Sequence, residues 1–160
     1  MLAVAVLFAV GCGGDETAEE QLVRGTGYAF AAPADWTLSR SGREVRAASG
    51  LRLVSVTRFA LVRAYRQELW ETVVPELDRA AMELARQQSG VISDSQTVTI
   101  AGRRARRYEV AYEHEGRELV ERIGFVLRGK TEYLLLCRYE SGGDAEACER
   151  LFRSFKLAAA

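Results

Sequence analysis

SDSQTVTIAGRRARRYEVAYEHEGRELVERIGFVLRGKTEYLLLCRY, residues 93–139, is the stretch on which the fold turns. It reads as four strand-like segments, 93–100, 103–113, 118–127 and 131–139, separated by Ala101-Gly102, Glu115-Gly116 and Gly129-Lys130. Short turns that contain Gly supply the positive φ that tight hairpins require, so the segments form an antiparallel meander. A two-residue turn at Glu115-Gly116 places Glu109 opposite Arg122, Tyr108 opposite Ile123 and Tyr112 opposite Leu119, which gives one ion pair and two apolar pairs in a single register. The same reasoning about Gly129-Lys130 sets Phe125 against Leu134 and Ile123 against Leu136. Gly124, Val126, Tyr133, Leu135 and Cys137 fall on the reverse face. Both faces of these strands are therefore apolar, and each needs a covering layer.

The covering layers are found on either side of the meander in sequence. Over 65–88 the period changes to that of a helix, with Leu69, Val73, Leu77, Ala80, Ala81 and Leu84 in one stripe and Ser89-Gly90 as a stop. Pro75 lies within that stripe, where a kink or a second helix starting at Pro75 is expected. Residues 144–156 give a second helix, with Asp144 near its start and Leu151, Phe152 and Phe155 on one face. Upstream, 27–33 alternates into Pro33 as a first strand, Trp36 and Leu38 continue as a second, and 44–47 with 51–59 form a hairpin. The expected fold class is α+β: an α/β/α sandwich on an antiparallel sheet of about six to seven strands.

Composition limits the possible functions. The chain has 160 residues, 48% of them apolar and 28% charged, with 22 basic and 22 acidic side chains. That is one globular domain, without the excess of positive charge that would suggest nucleic acid as a partner. Residues 2–10 are continuously apolar, too short to span a bilayer and of the length of a secretory h-region. Ala9-Val10-Gly11-Cys12 resembles the bacterial lipobox, in which the cysteine is acylated and becomes the new N-terminus. The reading is a signal peptide over 1–11, truncated at its start because no positive n-region precedes Leu2. Lipidation follows at Cys12, then a flexible acidic tether over 12–24 and a single domain over 25–158. An N-terminal strand or soluble apolar stub is the alternative. A lipidated Cys12 implies an exported protein held by acyl chains on the outer face of the bacterial cell membrane.

With Cys12 assigned to the leader, Cys137 and Cys148 remain as an even pair in an exported protein and read as a disulfide, two buried free thiols being the other reading. His114 is the only histidine and sits at a hairpin tip between Glu113 and Glu115, which cannot make a typical zinc site. No nucleophile motif, metal set or phosphate loop is present, so no catalytic residue, metal or cofactor is expected and the chain is not read as an enzyme. Arg103, Arg104, Arg106 and Arg107 divide two to each face of their strand and are screened by Glu109, Glu113 and Glu121. Glu121 falls on an apolar face beside Leu119, Ile123 and Phe125. An edge position open to water is expected for it, with Arg104 or Arg106 as its diagonal partner if it is buried. Tyr65, Trp70, Tyr133 and Tyr139 are candidates to line a ligand or partner groove between helix and sheet, the alternative being core.

Three segments carry a family resemblance: Tyr28-Ala29-Phe30-Ala31-Ala32-Pro33-Ala34-Asp35-Trp36, then Ile100-Ala101-Gly102-Arg103-Arg104-Ala105, and Ser154-Phe155 near the end. Together with the order of elements over 25–157, they resemble the PsbP-like superfamily, which includes photosystem II extrinsic proteins, a Ran-binding nuclear-import factor and many bacterial lipoproteins. The resemblance implies an α/β/α sandwich that works as a binding or assembly factor, and it transfers no catalytic residues. The functional expectation is a surface lipoprotein that binds an envelope protein or assists its assembly. A carrier or sensor of a small apolar ligand is the alternative, and an enzyme of unrecognised type the third reading.

Overall fold

The computed structural model describes residues 19–159, so the leader and Cys12 lie outside the described residues. The meander is present: β6 (Val91–Ile100), β7 (Arg103–His114) and β8 (Arg117–Glu140). Ala101 and Gly102 take φ 50° and 70°, and Glu115 and Gly116 take 52° and 74°. Positive φ at both central residues is the hairpin geometry whose twist matches that of the strands. Glu109 faces Arg122, Tyr108 faces Ile123 and Tyr112 faces Leu119, the register expected from the sequence.

β8 is one run of extended backbone but not one straight strand. Glu121 and Arg138 are 17 residues apart, which at full extension is roughly 55 Å. Yet the Arg138 Nη2 donates to Glu121 Oε1 at 2.6 Å, and the Ser141 N–H donates to the Glu118 carbonyl at 2.8 Å. The segment doubles back at Gly129, φ 54°, into an inner arm beside β7 and an outer arm beside the next strand. Both contacts share the offset that sets Phe125 against Leu134.

That next strand is β5 (Arg52–Tyr65), preceded by β3 (Thr37–Ser41) and β4 (Glu44–Ser49). The large sheet is antiparallel in the order β3-β4-β5-β8-β7-β6. β5 runs past the expected end at Phe59 because Tyr65 still pairs, across from Gly129. The long helix therefore starts later than residue 65: a 3₁₀ turn at Gln67–Leu69 leads into α1 (Trp70–Gln87). α1 runs through Pro75 with no second helix starting there. Pro75 and Glu71 are both exposed, so the carbonyl left without its bond is open to solvent. Trp70, Leu77, Ala81 and Ala85 are the buried stripe, whereas Leu69 and Ala80 are exposed.

α1 covers one face of the sheet, packing on Tyr108, Val110, Ile123, Phe125 and Leu127. The other face carries α2 (Glu146–Ser154), shorter than the expected 144–156, with the Glu146 N–H bonded to Asp144 Oδ1 at 2.7 Å. Beside α2 lies a layer the sequence reading did not contain, a three-stranded sheet in the order β1-β2-β9. β1 is Glu20–Gly25, β2 is Tyr28–Pro33 and β9 is Lys156–Leu157. The expected tether to residue 24 is thus corrected: Val23, 1% exposed, anchors β1 in the core with Phe30 and Phe155. The acidic run masked a strand whose inward residue is valine. Cys137, on the outer arm of β8, is disulfide-bonded to Cys148 of α2, with Cα atoms 5.4 Å apart.

Candidate functional site

The four aromatics proposed for a groove do not come together. Trp70 and Tyr65 pack with α1 on one face of the sheet, whereas Tyr133 and Tyr139 belong to the core on the other. The alternation of β8 explains it, since 133, 135, 137 and 139 share the face that α2 covers. Tyr133 meets Tyr28 and Phe155 edge-on, centroids 5.7 and 5.8 Å apart, so this group is core. His114 is exposed at its hairpin tip. The arginines of β7 divide as expected. Arg106 bonds Asp78 of α1 at 3.0 Å and Arg107 bonds Gln96 at 3.2 Å, while Arg103 and Arg104 are exposed at the strand end.

Glu121 departs most from expectation. It is fully buried, 0% exposed, on the face that α1 covers. Its carboxylate accepts from Arg138 Nε at 2.9 Å and Nη2 at 2.6 Å, from the Tyr112 hydroxyl at 3.0 Å and from Gln88 Nε2 at 2.7 Å. The partner is not Arg104 or Arg106, because Arg106 is held by Asp78 and Arg104 lies 3.6 Å from Glu71. The hairpin offset at Gly129 places Arg138 directly across from Glu121, a pairing present in the register but not followed to its end. Burial, then the nearby Glu121 charge, pushes the Tyr112 hydroxyl well above the ordinary tyrosine range, so it stays protonated and donates. Arg138 also lies over the Tyr112 ring, 5.9 Å from its centroid. This cluster joins the end of α1, β7 and both arms of β8. Above it is an open cleft of about 410 Å³ lined by Gln88, Ser89, Tyr112, His114 and Arg138.

Three further ionic clusters fix the layers. Asp78 accepts from Tyr108 at 2.5 Å and from Arg106 at 3.0 Å. Burial works against the Asp78 charge, but these two donors outweigh it and hold the carboxyl below its usual range. On the other face, the buried Arg122 bridges Glu109 of β7 and Glu149 of α2 at 2.8 and 2.5 Å. Arg150 of α2, 4% exposed, reaches Glu20 of β1 at 3.1 Å and Glu146 at 2.5 Å. Beside it a cleft of about 150 Å³ lies between Trp36, Arg52, Tyr139 and Glu146. Among the described residues no three His, Cys, Asp or Glu side chains are placed to hold a metal. No helix among them is long and apolar enough to cross a membrane.

Neither a protein-family model nor a curated protein matches the sequence. Solved structures match the fold. One is a Bacteroides thetaiotaomicron protein, 14% identical with a TM-score of 0.57; the match covers 89% of this chain and 49% of that one, so this chain spans about half its length. Another is LpqN of Mycobacterium tuberculosis, described as involved in cell envelope biogenesis, 11% identical with a TM-score of 0.51, covering 88% of this chain and 91% of that one. At these identities the likeness is one of architecture. The chain is an α+β domain of a kind found in bacterial proteins.

Proposed function

We propose that this chain is an exported lipoprotein, anchored through Cys12, whose domain binds another envelope protein or assists its assembly. One observation carries the binding mode. Both faces of the large sheet are filled by side chains, with Phe30, Ala32, Val54, Leu135 and Leu151 on one face and Val110 and Ile123 on the other all at 0% exposure. The clefts that remain are open: those beside Glu121 and Trp36 are lined largely by polar and charged groups, and the more apolar one, at Leu22, Tyr28 and Leu157, is a surface depression that also holds Arg24 and Lys156. A carrier of a small apolar ligand needs an enclosed apolar chamber of several hundred Å³. A domain with a filled interior acts through its surface. The leader sequence supports the compartment, as does the fold likeness to a protein described as involved in envelope biogenesis. The PsbP-like resemblance supports the same reading, since that superfamily acts by binding.

The test has two arms. Cys12→Ala should release the full-length protein from membranes into the soluble fraction, and unchanged retention would refute the anchor. Crosslinking in native membranes should yield discrete protein adducts. A small apolar molecule retained in native mass spectrometry, without adducts, would favour the carrier instead.

A further inference from the structure

The formal net charge is zero, yet the charges are sorted along the strands. At the end of the sheet where β7 begins and β8 doubles back, Arg103, Arg128 and Lys156 line one open cleft, and Arg24 and Lys156 line the next. Lys130 follows Gly129 at the β8 turn. β5 leaves its register there, since four residues, 61–64, separate Ala60 and Tyr65 where β8 has Lys130 alone between their partners Thr131 and Gly129. That excursion carries Arg63 outward next to Val62, which is 97% exposed. Of these cations none is in an ion pair among the described residues; the carboxylates at this end are Glu71, 3.6 Å from Arg104, and Glu68, which with Arg103 and Arg104 lies near Tyr65.

The opposite end, roughly 35–40 Å away along β7, is acidic. Glu113, Glu115, Glu118, Glu140 and Asp144 are all exposed there, and Arg117 pairs with Glu140. The chain enters the fold on this acidic side. Glu20 pairs with Pro33, which lines the same cleft as Asp144 and Glu146. Only six residues separate Cys12 from Glu19, a reach of about 25 Å at most.

We infer that the basic end is the docking surface of the domain and that its partner is an acidic protein surface with an apolar centre. This rests on the lipid-anchored binding reading above. An anchor on the acidic side directs the basic end away from the membrane. Guanidinium groups suit carboxylates through paired, planar hydrogen bonds. The exposed Val62, together with Leu22, 61% exposed beside Arg24, supplies the apolar contacts that a protein interface uses and a simple polyanion does not.

The test uses the full-length protein and the charge-reversal variant Arg63→Glu/Arg103→Glu/Lys130→Glu, with Glu113→Lys/Glu115→Lys as the control. Circular dichroism should first give both variants the parent spectrum. With poly-glutamate as the probe, the basic-end variant should bind at least tenfold more weakly at low salt and the acidic-end control no more weakly than the parent. Equal binding by all three proteins would overturn the inference. So would tighter binding of polyphosphate or phosphatidylglycerol vesicles through the same residues, because the occupant would then be a phosphate polymer or a lipid headgroup. In native membranes, a photocrosslinker at Val62 should give a discrete adduct that the triple reversal abolishes. Adducts from a crosslinker at Glu113 alone would leave the binding reading standing and remove the basic end as its site. Adducts from neither position would remove both.

Discussion

Glu121 shows how a charge survives inside a sheet. An isolated carboxylate would be too costly there, but four donors from three elements surround this one, so its burial pins those elements to one another. Glu121→Ala leaves Arg138 without its partner and should destabilise the domain by about 3–5 kcal/mol, measured by urea unfolding. Glu121→Leu with Arg138→Met should lose less than the single change, since neither charge is then stranded. Glu132 is the contrasting case. Burial raises its carboxyl above the ordinary range. The fold thus favours the neutral form: its contribution is complete below the unfolded-state value and is lost as pH rises through the folded one. Glu132→Gln should therefore unfold at a higher temperature than the parent at pH 7.5, and at the same temperature near pH 3.5. At this scale the sequence identified Glu121 as anomalous but not its partner, because Arg138 meets it only beyond the Phe125–Leu134 and Ile123–Leu136 pairs of the hairpin about Gly129. The four aromatics failed for a related reason: their types suggested a groove, and strand parity put them on opposite faces.

Elements were most legible where turns announced themselves. Gly102, Gly116 and Gly129 all have positive φ, and the strands they join were expected within a few residues. β1 and β9 were not legible, one hidden in an acidic run and the other only two residues long. Such a strand has no period to read and exists only because β2 is already in place. The seating of α2 depends on Gly124. A Cβ there would come within 2.6 Å of Phe152 Cε1, so the helix packs where this residue has no side chain. Gly124→Val should cost about 1–3 kcal/mol, and Phe152→Ala in the same chain should recover part of that loss. Thermal unfolding of Gly124→Val, Phe152→Ala and the double variant tests this, and an additive loss would mean that Gly124 acts through something other than Phe152.

For the whole molecule, the two apolar faces of the meander were enough to require a layer on each side, and both are present. The composition of the second layer was not foreseeable from local pattern, because it is assembled from distant parts of the chain. The same blindness applies to charge. A count gives zero, and only the strand directions gather unpaired cations at one end and a cluster of exposed carboxylates at the other. This separation makes association with an acidic partner sensitive to ionic strength even though the protein as a whole is neutral.

The pairing of Tyr28 with Leu157 sets an order of events. A chain made from its N-terminus delivers β2 well before β9, so the small sheet cannot close until residues 156–157 have emerged. Until then Tyr28 and Phe30 lack the Phe155 side chain that shares their core. Closure of the fold therefore waits on β9, and the Cys137–Cys148 bond ties α2 to the outer arm of β8.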